Sequence, residues 1–130
     1  MKESPLLDPD EEKREYFRLT VNLPASYRLE GEAAPSAPKP IKLSLSGGGV
    51  GFVTERRFNV GDRLVLTIML PSHPTITATA EIVRATPVEK NETMFSVGAR
   101  FTAVDDKDHD RILRYLINVQ RERRRDRYAT

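Results

Sequence analysis

Two short segments carry the side chains best suited to chemistry. The first is Lys13-Arg14-Glu15-Tyr16-Phe17-Arg18, which sets two guanidiniums four residues apart behind a lysine. Each guanidinium is a planar fork that can pair bidentately with a phosphate or with the O6/N7 edge of a guanine, and its flat face stacks on bases. The second is Ser44-Leu45-Ser46-Gly47-Gly48-Gly49, where small hydroxyls meet bare backbone. Hydroxyls both donate and accept hydrogen bonds, and successive backbone amides can hold an anion. Each segment also has a plainer reading: solvated arginines near a chain end, and a glycine bulge that bends a strand. Taken together, they suit a compact, doubly charged, purine-bearing ligand.

Catalysis has little to work with in this chain. There are no cysteines, which removes disulfides, thiol nucleophiles and Cys-based metal sites together. His73 lies in a Pro-flanked turn and His109 at a predicted helix start, neither spaced from another histidine as a metal site requires. Ser44 and Ser46 have no neighbouring base, and the glycine run is not followed by the Lys-Ser/Thr of a P-loop. The expectation is a binding protein rather than an enzyme, with no catalytic residue, no metal and no resident cofactor.

The elements that must position the two segments are mostly strands. From Leu19 the residues Leu19, Val21, Leu23, Ala25, Tyr27 and Leu29 alternate with polar neighbours, as in a half-buried strand. A Pro-rich loop at 31–40 leads to a second strand, with Ile41, Leu43 and Leu45 inward and Ser44 and Ser46 outward. The glycines interrupt it, and Val50 to Thr54 resumes. Arg63–Leu70, Thr75–Ala85 and Thr93–Thr102 follow as further strands, with Asn59–Asp62 and Pro87–Glu92 as turns. Six strands with one-sided alternation predict a mainly β fold, a six-stranded antiparallel barrel. The period then changes: Ile112, Leu113, Leu116 and Ile117 recur at helical spacing behind Asp105, Asp106 and Asp108, predicting a C-terminal α-helix from about Asp106 to Arg124.

A chain of 130 residues, 38% hydrophobic and 31% charged, suits one globular domain. Its expected organisation is a mobile N-terminal segment at 1–12, a folded domain at 13–124 and a basic tail at 125–130. The N-terminus has no basic, then apolar, signal-peptide pattern, and no stretch approaches the roughly 20 apolar residues of a membrane span. The expected location is therefore the cytoplasm. A net charge of +2 does not announce a nucleic-acid binder. The closing arginines (Arg121, Arg123, Arg124, Arg125, Arg127) suit the negative end of a helix dipole, and outward aromatics for stacking single strands are lacking.

In their order and shared strand frame, the two segments resemble the PilZ domain, the cyclic di-GMP receptor module of bacteria. That family shows Arg-x-x-x-Arg just before the first barrel strand and Asp/Asn-x-Ser-x-x-Gly later. Arg14-Glu15-Tyr16-Phe17-Arg18 matches the first motif, with Lys13 in the preceding basic place. Ser46 and Gly49 match the second, while Ser44 stands where the family carries Asp or Asn. The resemblance continues through Val60-Gly61-Asp62, Glu81-Ile82-Val83-Arg84, Val97-Gly98-Ala99-Arg100-Phe101 and Gln120-Arg121, roughly residues 12 to 124. It implies cyclic di-GMP as ligand, held by Lys13, Arg14 and Arg18 on one side and by Ser44, Ser46 and Gly49 on the other. It also implies that binding draws the N-terminal segment across the barrel and creates a surface for a protein partner. Ser44 is a shorter, weaker acceptor than a carboxylate for a guanine's N1-H and N2-H, a difference of about 1–3 kcal/mol. A protein-interaction module of the same fold that binds no nucleotide is the alternative, with a nucleic-acid-binding barrel behind it.

Overall fold

The alternation that begins at Leu19 continues around a closed sheet. The computed structural model describes residues 17–33 and 37–129. Its strands are β1 (Leu19–Leu29), β2 (Lys39–Leu45), β3 (Gly49–Thr54), β4 (Arg63–Ile68), β5 (Ile76–Val88) and β6 (Asn91–Val104), followed by helix α1 (Asp106–Ala129). They close into a barrel in the order β1-β2-β3-β6-β5-β4, and every pairing is antiparallel. This is the mainly β, six-stranded barrel with a C-terminal helix that the periodicities predict.

Closure removes exposed edges and gives every strand one face to bury. Leu43, Leu45, Val50, Leu64, Leu66, Ile68, Ile76, Ile82 and Val97 fill the interior. Ile112 and Leu116, one helical turn apart, present the α1 stripe to the same core and are essentially unexposed. Each such side chain contributes roughly 1.5–3 kcal/mol of burial. Another part of the core holds an aromatic cluster: the Tyr27 ring lies 4.4 Å from Phe52 and 6.0 Å from Phe58. The Tyr27 hydroxyl donates to Thr54 Oγ1 at 2.7 Å. Nearby, Arg56 forks onto Glu32, and its hydrogen bond holds the Glu32 carboxyl below the usual carboxylate range.

Several boundaries differ from expectation by a residue or two, and two differ by more. The Pro87–Glu92 turn shrinks to Glu89-Lys90, because β5 runs on to Val88 and β6 starts at Asn91. Asn91 Oδ1 takes hydrogen bonds from the Thr93 amide at 3.2 Å and the Thr93 hydroxyl at 2.7 Å, which secures the start of the returning strand. Helix α1 extends past Arg124 to Ala129, so residues expected in a basic tail are helical. That stretch has neither Gly nor Pro, and arginine is among the better helix formers. The N-terminal segment at 1–12, with Lys13 and Arg14, lies outside the described residues.

Candidate functional site

The register of the barrel sets one row of residues side by side on its outer wall. Thr20 of β1 pairs with Ser44 of β2, Ser44 with Gly51 of β3, Gly51 with Gly98 of β6, and Gly98 with Arg84 of β5. The row thus runs across five strands through two small polar side chains and two bare glycines, and it ends at a guanidinium. Arg18 rises from the residue before β1, with its Nη1 3.9 Å from the point where a Gly51 Cβ would stand. Arg84 lies over Gly98, whose Cβ would come within 3.1 Å of Arg84 Nη2.

Two grooves adjoin this row, of about 340 and 680 Å³. Arg18 and Arg84 line both, so the two arginines form a common border. Lys42, Ser44, Gly51 and Ser96 line the smaller groove; Gly48, Val83, Gly98 and Arg100 line the larger. Among the described residues, Arg18 has one side-chain hydrogen bond, to Ser44 Oγ at 3.5 Å. Arg84 has one, to Ser96 Oγ at 3.3 Å. Both partners are neutral. Arg100 differs, because Glu81 faces it at 3.5 Å. Among the described residues the wall carries four basic side chains (Arg18, Lys42, Arg84 and Arg100) and one facing carboxylate, Glu81. A cationic wall with flat backbone between the cations is suited to an anion that carries a planar group.

The Ser-Gly loop lies differently from expectation. Ser44 faces the outer wall, as predicted, where it is half-buried, but Ser46 is not outward: it is only 3% exposed. β2 ends at Leu45, so the alternation stops one residue earlier and Ser46 turns inward. Its Oγ accepts hydrogen bonds from the amides of Gly48 at 3.2 Å and Gly49 at 3.1 Å. The Ser46 amide donates to Gly49 O at 3.0 Å, closing a tight turn. Two amides that the sequence offered to a ligand are thus used inside the loop. Gly49 is required by packing: a Cβ there would stand 2.1 Å from Ala99 O of β6. The loop is pinned from outside as well, with Phe101 N donating to Gly48 O at 2.9 Å and the His109 ring 2.9 Å from Gly47 O.

Arg84, Gly51 and Gly98 were missed as site residues in the sequence. Gly51 and Gly98 fall at outward positions of strands that become neighbours only when the barrel closes. Arg84 was hidden by a bulge. Ile76, Ala78, Ala80 and Ile82 face inward, so simple alternation sends residue 84 inward too. In the structure the register shifts between Ile82 and Arg84, with Val83 as the extra residue, and Arg84 turns outward opposite Gly98. The adjoining turn supports this irregularity: Gly61 N donates to Ile82 O at 2.8 Å and Ile82 N to Asp62 O at 2.9 Å. Arg100, outward on β6 as the strand pattern indicates, borders the larger groove.

The distal end of α1 also reaches the trough. Arg123 Nη2 donates to Thr20 O at 2.6 Å, beside further exposed arginines at 121, 124 and 125.

The molecule is thus an antiparallel barrel packed against a C-terminal helix, with basic side chains along a trough in its outer wall. The chain belongs to the PilZ domain family, whose model matches residues 12–118. Among solved structures it is similar to the Bacillus subtilis inhibitor of motility (MotI/DgrA), at 24% identity and a TM-score of 0.70. That match covers 86% of this chain and 53% of the other, so the chain spans about half the length of the Bacillus protein. It is also similar to a pathogenic protein of Xanthomonas campestris, a tetrameric PilZ domain self-assembled via a helical bundle, at 10% identity and a TM-score of 0.65. That match covers 84% of this chain and 90% of the other. No curated protein matches the chain. Among the described residues, no helix is long and apolar enough to cross a membrane.

Proposed function

We propose that this protein is a cytoplasmic cyclic di-GMP receptor that passes the signal to a protein partner and carries no enzymatic activity. The observation that carries the reading is Arg18, whose guanidinium meets only a neutral hydroxyl among the described residues and stands beside the bare Gly51 within a PilZ barrel. Arg14, four residues earlier, supplies the second fork of the Arg-x-x-x-Arg motif, and Lys13 adds charge for a phosphate. Ser44 offers its hydroxyl to a guanine edge. Ser46 and Gly49 act by holding the loop that carries this wall of the trough, the first through its amide hydrogen bonds and the second through its lack of a side chain.

Binding in this scheme orders the segment that bears Arg14 against the barrel wall, and the covered wall becomes a new surface for the partner. Calorimetric titration with cyclic di-GMP tests it. Wild type is expected to release heat at a defined stoichiometry. Arg18→Ala and Arg14→Ala are each expected to weaken binding by roughly tenfold or more, since each removes a charge-assisted pair. Absence of heat in wild type would sink the reading.

One observation favours a second reading, a protein-interaction module that binds no nucleotide. Ser44 brings no carboxylate to the trough, and its contact to Arg18 is long at 3.5 Å. An amide-shift titration separates the two: the second reading requires that trough residues stay unmoved by the dinucleotide.

A further inference from the structure

We propose that this protein pairs with a second copy of itself through α1, the two helices lying antiparallel along one outer stripe. The pairing rests on the helix and is independent of what the trough binds.

The first observation is apolar surface that the barrel does not use. Ile112, Leu113, Leu116 and Ile117 recur at helical spacing, but the core takes only half of them. Ile112 and Leu116 are buried, and Tyr115 and Val119 pack beside them. Leu113 and Ile117 are not among the described residues that reach this core, and Ile117 is 39% exposed. With 3.6 residues per turn, they stand a little over a quarter-turn round the helix from the buried pair.

The second is spacing. Asp106, Asp110, Leu113, Ile117, Gln120 and Arg124 follow one another at alternate steps of four and three residues. That is the repeat of a coiled-coil seam, in which every position faces a partner helix. All six side chains are exposed or only half-buried. The helix is 24 residues long, about 36 Å, and the seam runs along most of it.

The third is charge, and it selects the occupant. The seam is acidic at its start, apolar in its middle and basic at its end. A second copy laid antiparallel, about a two-fold axis midway between Leu113 and Ile117, complements it. Leu113 then meets Ile117 of the second copy, Asp110 meets Gln120 and Asp106 meets Arg124, and symmetry makes each contact twice. Asp110 is already held by Arg114 of its own helix at 2.9 Å. Asp106 and Arg124 form no ion pair among the described residues, so the outer pair carries the electrostatic selection. A parallel arrangement would set Asp106 on Asp106 and Arg124 on Arg124, like against like.

Two apolar residues per copy make a narrow seam, which places the dimer at the weak, transient end of protein interfaces. Polar residues on such a seam weaken it and in return fix its register and direction. The pairing also touches the trough. Arg124 follows Arg123, whose Nη2 donates to Thr20 O at the trough edge, so the first turn of the second copy's helix lies close to that edge.

Sedimentation equilibrium of the full chain in low salt, over a series up to about 1 mM, tests the pairing, with a thermal melt of each variant. Wild type is expected to pass from monomer to dimer as concentration rises, and less readily in high salt, which screens the outer charge pairs. Ile117→Asp is expected to weaken the dimer by roughly tenfold or more with an unchanged melt, since the side chain stands clear of the core. Arg124→Glu and Asp106→Lys are each expected to weaken it several-fold by setting like charges face to face. The double variant, which keeps the net charge, is expected to recover that loss. A wild type that stays monomeric across the series overturns the proposal, as does an assembly larger than a dimer or a dimer indifferent to Ile117→Asp. A double variant that associates no better than either single variant overturns the antiparallel pairing, and the proposal with it.

Discussion

Ser44 is the residue at which the chemistry of the trough is most open to change. It sits half-buried between Thr20 and Gly51 in the lateral row, with Arg18 Nη1 3.5 Å from its hydroxyl. A carboxylate at this point would accept from a guanine's N1-H and N2-H and would also hold the Arg18 fork in place. Ser44→Asp is therefore expected to tighten cyclic di-GMP binding by about tenfold, a gain of roughly 1.4 kcal/mol. Calorimetry against wild type measures it. The gain stays near the lower end of what a charged hydrogen bond can deliver, because an aspartate also neutralises a cation that the ligand phosphates use. Equal or weaker binding in Ser44→Asp would show that no guanine edge reaches this position. Ser46 belongs to the same motif but acts differently. With its hydroxyl turned onto the Gly48 and Gly49 amides, it governs the shape of the wall and leaves recognition to its neighbours.

At the scale of the element, the β3–β6 ladder does most to shape the site. Gly49, Gly51 and Gly98 bring these strands together with little side chain on the outer face, but their roles differ. A Cβ at Gly49 would stand 2.1 Å from a backbone oxygen, which cannot give way as a flexible side chain would. Gly49→Ala is accordingly expected to cost about 1–3 kcal/mol, read as a lower denaturation midpoint, because the strands must separate. Gly51→Ala, with contacts no closer than 3.4 Å, is expected to fall within about 0.5 kcal/mol of wild type. Denaturant unfolding of the two variants separates the glycine that packing requires from the one whose position has room for a methyl group. The β5 bulge completes the element, since without Val83 as an extra residue Arg84 would face the core.

At the scale of the molecule, α1 joins the barrel core to the trough. Ile112 and Leu116 are buried in the core, the His109 ring meets Gly47 O of the Ser-Gly loop, and Arg123 holds Thr20 O at the trough edge. Acidic residues in its first turn, Asp106 and Asp108, suit the positive end of the helix dipole. Leu116→Ala is expected to cost about 2–5 kcal/mol, because it removes a fully buried side chain at the junction of helix and barrel. Equilibrium unfolding in urea gives the value. A cost below about 1 kcal/mol would mean that the helix is not held by its apolar stripe.

Much of this was legible in the sequence, for a physical reason. Strand and helix periods are local properties: Val21, Leu23 and Ala25 alternate, and Ile112 and Leu116 recur one turn apart, whatever the rest of the chain does. Six strands with one apolar face each have few ways to bury those faces, so the barrel and its closing helix followed. The Arg-x-x-x-Arg and Ser-x-x-Gly motifs were equally local. What only the tertiary structure decided is lateral and irregular. The row Thr20–Ser44–Gly51–Gly98–Arg84 exists because closure aligns five strands in one register. Ser46 turned inward because β2 stopped one residue sooner than its alternation implied, and Arg84 turned outward because a single extra residue reversed the faces of β5. Periodicity specifies the face of every residue only while the ladder is regular, and the trough lies where the ladder is broken.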